Sequence, residues 1–197
     1  VAVNWRDLYV PKGISDEDYE AWGAKLQAVA DSQEWKDAMA ANGIHFTRYY
    51  APSTVCSPSR AGLLTGCYPN RIGISGALMP WAQNGLDSNV TTIAEMLKAR
   101  GYATAIFGKW HLGDQPEFLP TNQGFDHYYG IPYSNDMQRR STETGENVVP
   151  LLRDDQVAEL LMDEQQSRIV ERYTDEAVDF IRTSKDRPFF LYLPHTA

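Results

Sequence analysis

The sequence predicts an α/β domain in which helices are layered on a largely parallel sheet. Helical and extended segments alternate from residue 44 onward, an order that favours parallel strands joined by crossover helices. The chain has 197 residues, of which 43% are hydrophobic and 22% are charged. This composition supports a folded core and excludes an intrinsically disordered chain. The length predicts one domain, or a large piece of a larger protein.

Residues 1–43 predict a helical N-terminal segment. Ser15 can cap a first helix with Asp18 reaching back to it, and Gly43 ends a second helix. The apolar residues recur at helical spacing; they are Tyr19, Trp22, Leu26, Val29, Trp35 and Met39. The segment carries no evident chemistry, so we place a domain boundary after it and assign residues 44–197 to a second domain.

The second domain begins with a predicted strand over residues 44–50, which mixes aromatic and β-branched residues. Pro58 suits the first turn of a helix that Gly66 ends, which puts Cys56 at a helix N-terminus. Ser88 or Asn89 can cap the next helix, which carries Val90 to Leu97. Residues 102–107 then predict a strand, and the polar residues after it lie where ligands bind in open α/β sheets.

The rest of the domain contains a loop, a helix and a strand. Residues 116–150 are rich in Gly, Pro, Asn and Tyr and are typical of an ordered loop. Residues 155–183 predict a helix, and residues 189–193 form a continuous apolar run that predicts a buried strand. The apolar stripe of the helix consists of Ile169, Tyr173, Ala177 and Phe180.

The charge balance excludes several classes of protein. The 18 Lys and Arg residues against 26 Asp and Glu residues give a net charge of -8, which excludes a general nucleic-acid binder. No apolar stretch approaches the roughly 20 residues of a membrane span, and the N-terminus lacks a signal-peptide pattern. Removal of a leader would place the protein in the periplasm or outside the cell. Two cysteines are too few for a disulfide scaffold or a structural zinc site.

The helix start at residues 56–60 has the features of an anion pocket. A helix N-terminus offers unpaired N–H groups and the positive end of a dipole, which favour anions and activate thiols. Arg60 lies one helical turn after Cys56 and can direct its guanidinium toward the same point. The alternative is an inert buried cysteine beside a surface arginine. Cysteine phosphatases place five residues between their thiolate and arginine, whereas three separate Cys56 from Arg60.

The stretch from Cys56 to Gly66 matches every defined position of the pattern C-x-P-S-R-x-x-x-L-T-G, and the chain therefore resembles the sulfatase family. The resemblance implies an alkaline-phosphatase-like α/β fold and cleavage of sulfate esters of small molecules or glycans. It also implies that a formylglycine-generating enzyme converts Cys56 to formylglycine, with Pro58 and Arg60 in the modification signal. One hydroxyl of the hydrated aldehyde would attack sulfur, and the other would later expel sulfate.

A second segment, Gly108–Gly113, is similar to the sulfatase sequence G-K-W-H-L-G. By this resemblance Lys109 binds the sulfate and His111 hydrogen-bonds a formylglycine hydroxyl. Taken singly, such residues are more often a solvated charge and a structural histidine. With Cys56 and Arg60 they complete a cationic pocket in an acidic protein. Residues 123–134 resemble the arylsulfatase branch and are expected to form the pocket wall.

The resemblance also implies a calcium ion, held by the formylglycine from Cys56 and by aspartate and asparagine ligands. We find no counterparts of those other ligands in this chain, because the acidic Asp16, Glu17 and Asp18 head a helix instead of ending a strand. His195 is a neighbour of the family's sulfate-binding histidine, not its counterpart. The metal site is therefore expected to be incomplete. The alternative function is an inactive sulfatase fragment, or fusion product, that at most binds an oxyanion.

Residues 1–43 have a likeness of their own, to the C-terminal end of tripartite tricarboxylate transporter substrate-binding proteins. It rests on residues 3–8, 11–15, 32–36 and 41–43. Because the sulfatase likeness covers about residues 43–197, our hypothesis is a fusion or a rearranged reading frame. The expected sheet is truncated, which favours self-association through its open edges. A carboxylate-binding module is a third interpretation, but about 43 residues cannot build a two-lobed binding protein.

Other features receive structural interpretations. Cys67 is expected to be a free, partly buried thiol, because a disulfide with Cys56 would disable the nucleophile. The sequon Asn89-Val90-Thr91 coincides with the expected helix cap. Asp154 and Asp155 are expected to complement a helix dipole instead of binding metal. Hydrolysis of phosphate esters or phosphonates stays open as a related activity, because a fold does not by itself determine function.

Overall fold

The computed structural model describes Gln33, which is helical, and residues 50–142 and 145–196. The chain divides into two compact units, and apart from Gln33 and Tyr50 the described residues all belong to the second unit. The predicted N-terminal helices and the strand over residues 44–50 therefore lie almost entirely outside the described residues. Among the described residues, every helix falls short of the length and apolar character that a bilayer span requires.

The described residues form six strands in one mixed sheet. The strands are β1 (Ala103–Phe107), β2 (His127–Gly130), β3 (Arg139–Arg140), β4 (Asn147–Arg153), β5 (Gln156–Leu161) and β6 (Phe189–Tyr192). Their order is β3-β4-β2-β1-β6, with β5 also paired to β4. The helices are α1 (Cys56–Thr65), α2 (Ile93–Lys98), α3 (Asp163–Gln166) and α4 (Ile169–Ser184). Three 3₁₀ turns span Pro69–Ile72, Pro116–Phe118 and Pro120–Asn122.

The sheet is parallel on one side and antiparallel on the other. β1 runs parallel to both β2 and β6, whereas β4 is antiparallel to β2, β3 and β5. The prediction of an α/β fold is confirmed, but the sheet is mixed instead of largely parallel. For the pair β4 and β5 the physical reason is their connection, because a two-residue turn can join only antiparallel strands.

The two strands predicted around residues 102–107 and 189–193 are both present as central, buried strands. All five residues of β1 are buried, as expected for a parallel strand covered on both faces. Ile106, Tyr128 and Phe190 pack toward α1 and α2, and Tyr129 and Leu191 pack toward α4. The second unit is therefore layered as helices, sheet and helix around β1.

The predicted apolar stripe of α4 is confirmed, since Ile169, Tyr173, Ala177 and Phe180 are all buried. The predicted start of this helix at residue 155 is wrong. The β4–β5 hairpin occupies residues 147–161 instead, and part of the stretch expected to be loop is also β2, β3 and β4.

Asp154 explains the hairpin. Its φ of 56° at the first position of the two-residue turn suits the twist of a tight hairpin. Its carboxylate accepts a hydrogen bond from the Tyr128 N–H at 2.9 Å, and its own N–H donates to the Tyr128 carbonyl at 2.7 Å. Asp154 and Asp155 are thus the turn of a hairpin and not the start of a helix.

The cap of α2 also differs from the prediction. Thr92 caps the helix, and Glu95 completes a capping box by accepting from the Thr92 N–H. Asn89 instead donates to the Asp87 carboxylate through both its backbone N–H and its side chain, each at 2.8 Å. Because this local turn holds Asn89, the helix begins later than the sequence predicts.

Candidate active site

Cys56 is the first residue of α1, as predicted, and its side chain is half-buried. The preceding residue, Val55, has an extended backbone and offers no side-chain cap. No capping side-chain oxygen therefore occupies the positive N-terminal end of the helix. Gly66 ends the helix in a left-handed conformation, with φ of 70°. The segment from 56 to 66 therefore presents residue 56 at the positive end of a ten-residue helix.

Arg60 connects this helix to the segment that follows β1. Its Nη1 donates to the carbonyl of Lys109 at 2.5 Å, across 49 positions of sequence. One guanidinium nitrogen is therefore committed to a backbone oxygen, instead of pointing only at the expected anion site. This bond joins the two predicted segments directly.

Lys109 is positioned by an extension of the parallel ladder beyond β1. The Lys109 N–H donates to the Pro194 carbonyl at 2.9 Å, and the flanking Gly108 and Trp110 N–H groups donate to Tyr129 and Ile131. The lysine is 7% exposed. The sequence prediction that Lys109 follows the C-terminal end of a strand is confirmed.

The ammonium of Lys109 faces the side chain of Cys56. Nζ donates to the Ser134 hydroxyl at 3.0 Å and lies within hydrogen-bonding reach of the cysteine. Burial, followed by the positive charge of Arg60, lowers the pKa of Lys109, while Cys56 and Asp136 oppose that shift. A desolvated cation is thus held next to residue 56, with Arg60 as a second positive charge nearby.

His111 is a buried neutral imidazole beside these cations. Its Nε2 is 2.9 Å from the carbonyl of Leu78, which assigns the ring proton to Nε2. Its Nδ1 is buried and has no partner among the described residues. Burial, followed by the charge of Lys109, lowers the pKa of His111 to about 4. The free Nδ1 can therefore accept a hydrogen bond at neutral pH.

Ser134 and Asp136 are site residues that sequence reasoning missed. Ser134 was expected only in the pocket wall, yet its hydroxyl binds the Lys109 ammonium and also the Asp136 carboxylate. That hydroxyl and the nearby Lys109 and His111 lower the pKa of Asp136. The available signal was topological, because residues 131–136 follow β2 at the same sheet edge where Lys109 follows β1.

The chain is similar to known proteins over most of its length. A sequence profile described as Sulfatase matches residues 14–196 of the chain. The chain belongs to the sulfatase family. This match begins at residue 14, well before the predicted domain boundary after residue 43. That boundary and the transporter likeness of residues 1–43 stay predictions.

Several sulfatase relatives share extended sequence with the chain. It is 52% identical to human arylsulfatase A over 103 residues, which cover 51% of the chain and 20% of that protein. It is 36% identical to mouse arylsulfatase G over 184 residues, covering 80% of the chain and 34% of that protein. An arylsulfatase from Hemicentrotus pulcherrimus is 36% identical over 203 residues, covering 94% and 35%. The chain thus spans between 20% and 35% of the length of these curated relatives.

Solved structures share the fold of this chain. The crystal structure of Ps i-CgsB matches with a TM-score of 0.57 and 31% identity, over 82% of this chain and 39% of that chain. The PsFucS1 sulfatase from Pseudoalteromonas sp. matches with a TM-score of 0.60 and 27% identity, over 71% and 33%. The alkaline-phosphatase-like α/β fold expected from the sequence is confirmed for this sulfatase-family chain.

A calcium site, which the resemblance implies, needs several oxygen ligands close together. Within residues 50–142 and 145–196, no group of three or more His, Cys, Asp or Glu side chains could hold a metal ion. The incomplete calcium site that the sequence leads us to expect stays a prediction.

The second cysteine takes no part in the site. Cys67 is a free thiol, as predicted, but it is exposed instead of partly buried. It follows Gly66, beyond the C-terminal end of α1, which explains why no helix or sheet covers it. Cys56 is likewise a free thiol.

Proposed function

We propose that this chain is part of an enzyme that hydrolyses sulfate esters, with residue 56 as the nucleophile after conversion of Cys56 to formylglycine. The observation that carries the proposal is the convergence at one helix N-terminus of Cys56, the buried ammonium of Lys109 and the neutral His111. Membership of the sulfatase family supports the same reaction.

The surroundings of residue 56 fit a hydrated aldehyde. Formylglycine supplies one hydroxyl that displaces the alcohol from sulfur and a second whose deprotonation releases sulfate and restores the aldehyde. His111 can accept a hydrogen bond from such a hydroxyl through its unpartnered Nδ1. Its ring is held in place by the bond from Nε2 to the Leu78 carbonyl.

The positive groups suit an anionic substrate. The first N–H groups of α1 and the Lys109 ammonium can both stabilise sulfate oxygens, and burial strengthens the effect of the charge. We assign Arg60 two roles. It adds positive potential to the site, and its bond to the Lys109 carbonyl holds the lysine in position next to residue 56. These positive groups form a local anion site in a protein with net charge of -8.

The substrate class that we propose is a sulfated small molecule or glycan. Two similar solved chains carry saccharides in their descriptions. Ps i-CgsB, at 31% identity, was solved with k-i-k-neocarrahexaose, and BT4656, at 26% identity, with its substrate D-glucosamine-2-N,6-O-disulfate. A formylglycine-generating enzyme is the required partner for maturation.

The test is turnover by the matured chain. The full chain is co-expressed with a formylglycine-generating enzyme, conversion of Cys56 is measured by peptide mass spectrometry, and hydrolysis of an aryl sulfate is followed with added calcium. We expect turnover by the converted protein and its loss in Cys56→Ala. Cys67→Ala is the matched control and should retain activity, because Cys67 lies outside the site.

The alternative function is binding of an oxyanion without catalysis, and it is favoured by the lack of a metal-ligand cluster among the described residues. Complete conversion of Cys56 without turnover in calcium would contradict hydrolysis by this chain. Binding of inorganic sulfate by the same sample would then support the alternative.

A further inference from the structure

A turn close to His111 places a tryptophan in a conformation that side chains rarely adopt. The Ala82 N–H donates to the Met79 carbonyl at 3.0 Å and closes a four-residue turn with Pro80 in its second position. Trp81, in the third position, has φ of 77°. Turns of this kind normally place glycine or asparagine there, because a Cβ is strained at positive φ.

Burial does not account for Trp81. Its side chain is 56% exposed, so the strained backbone is not offset by packing of the indole in the core. Backbone strain that no packing explains is typical of positions that serve a function. The exposed ring is therefore the feature to be explained.

Trp81 is held in a defined position. Its N–H donates to a carboxylate oxygen of Asp114 at 3.0 Å, and its carbonyl accepts from the side chain of Gln83 at 3.1 Å. The other oxygen of Asp114 accepts from Gln115 at 3.1 Å. Both backbone groups of Trp81 are therefore hydrogen-bonded, which holds the turn that presents its ring.

The turn lies at the edge of the proposed active site. Leu78, which precedes it, accepts from His111 Nε2 and donates its N–H to the Ser57 hydroxyl at 3.1 Å. A small pocket is lined by Met79 and Asp114 of this region together with His111 and Tyr133. Three residues of chain span at most about 11 Å, so Trp81 lies within that distance of Leu78.

A cation accompanies the exposed ring. The guanidinium carbon of Arg139 is 5.6 Å from the centroid of the Trp81 ring, and Arg139 is itself exposed at the start of β3. It forms no salt bridge with any residue of the described ranges. Its charge also reaches Tyr133, one of the pocket residues.

We propose that Trp81 and Arg139 form a substrate platform for a saccharide sulfate that carries a second anionic group; this rests on the proposed sulfate-ester activity. The partly positive C–H groups of a pyranose ring suit the negative face of the indole. The guanidinium matches a carboxylate or a second sulfate in planar, two-bonded geometry. The platform thereby selects the leaving group while residue 56 and Lys109 receive the sulfate.

Binding to the unconverted full chain tests the platform directly. Three probes are titrated by calorimetry: inorganic sulfate, a hexosamine 6-sulfate, and a disaccharide of that sugar with a uronic acid. Trp81→Ala is expected to weaken both saccharides by about tenfold and to leave inorganic sulfate unchanged. Arg139→Gln should weaken only the disaccharide.

Two further variants guard against a general loss of structure. Trp81→Gly removes the ring and relieves the positive φ, so it should unfold at the same temperature as wild type or higher, yet bind saccharides as weakly as Trp81→Ala. Tyr68→Ala removes another exposed ring, which lies beyond the C-terminal end of α1. The guanidinium carbon of Arg71 is 5.7 Å from the centroid of that ring. The Tyr68→Ala variant should bind all three probes as wild type does.

The outcomes separate this proposal from the proposed function. Absence of saccharide binding by wild type, or saccharide affinity in Trp81→Gly equal to that of Tyr68→Ala, overturns the platform. An equal loss for both saccharides in Arg139→Gln overturns the second anionic subsite. Saccharide binding that depends on Trp81, without turnover after conversion of Cys56, supports the platform and contradicts only the hydrolase function.

Discussion

His111 shows how a single buried side chain connects stability to the site. The ring is 1% exposed and lies beside the positive charges of Lys109 and Arg60, so protonation would place a third positive charge in a desolvated space. Between about pH 4 and pH 6.5 the folded protein therefore keeps this histidine neutral, whereas the unfolded chain protonates it.

This difference predicts a dependence of stability on pH. Between about pH 6.5 and pH 4 the unfolded chain binds a proton at residue 111 that the folded chain rejects, since its folded pKa is lowered to about 4. Stability from this group is present above pH 6.5 and is lost as the pH falls through that window. His111→Asn, which removes the titrating imidazole, should reduce the loss between pH 7 and pH 4.5 by roughly 2 kcal/mol.

The measurement is urea unfolding at several pH values. His127→Asn is the matched control, because His127 is exposed at the start of β2. It should preserve the pH dependence of wild type. If His111→Asn and wild type lose stability in parallel on acidification, the neutral state of His111 is not what limits folding in acid.

At the scale of one element, the stability of the six-residue helix α2 depends strongly on its N-terminal cap. The buried Thr92 hydroxyl accepts from the Glu95 N–H at 3.1 Å and donates to the Gln123 carbonyl at 2.8 Å. One side chain thus caps the helix and joins it to the loop before β2.

Loss of this hydroxyl should be costly. Thr92→Ala is expected to lower the free energy of unfolding by about 1–2 kcal/mol for the cap, with a further loss from the Gln123 carbonyl left without its donor. Thr91→Ala changes an exposed neighbour of the same type and should stay within about 0.5 kcal/mol of wild type. Chemical denaturation of both variants makes the comparison, and equal midpoints would show that the capping box contributes nothing measurable.

At the scale of the whole molecule, three segments meet at the edge of the sheet that carries the site. The Gly108 N–H donates to the Tyr129 carbonyl, and the Lys109 N–H donates to the Pro194 carbonyl, each at 2.9 Å. A Cβ at Gly130 would collide with the carbonyl oxygen of Gly108, which is backbone and cannot rotate away. The approach of β1 and β2 at this point therefore requires glycine.

Gly130→Ala is consequently expected to destabilise the entire domain by more than about 2 kcal/mol, because adjacent strands must separate where Lys109 is held. Gly76→Ala is the matched control, since a Cβ there meets nothing within 4 Å. Thermal unfolding followed by circular dichroism compares the two. A Gly130→Ala protein with the unfolding temperature of Gly76→Ala would contradict the proposed packing.

Much of this architecture follows from local pattern. Burial determines which positions of a strand or helix are apolar, so β1, β6 and the apolar stripe of α4 are predictable from the sequence. The start of α1 at Cys56 is predictable from Pro58, which suits the first turn of a helix. The β4–β5 hairpin escaped prediction because residues 156–161 contain good helix formers, and pairing with β4 overrides their propensity. The cap of α2 was misplaced because Asp87 competes for Asn89.

The sequence by itself determined the family and the helix that carries residue 56, and it supplied Cys56, Arg60, Lys109 and His111 as the predicted site residues, since a short pattern of residue types specifies each. Only the tertiary structure decided how these groups act on one another. The bond from Arg60 to the Lys109 carbonyl joins positions 49 residues apart in the sequence, and the neutral state of His111 depends on its burial in the packed domain. The addition of Ser134 to the site depends on the parallel pairing of β1 and β2. Desolvation and strand pairing are properties of the packed molecule, and no local pattern encodes them.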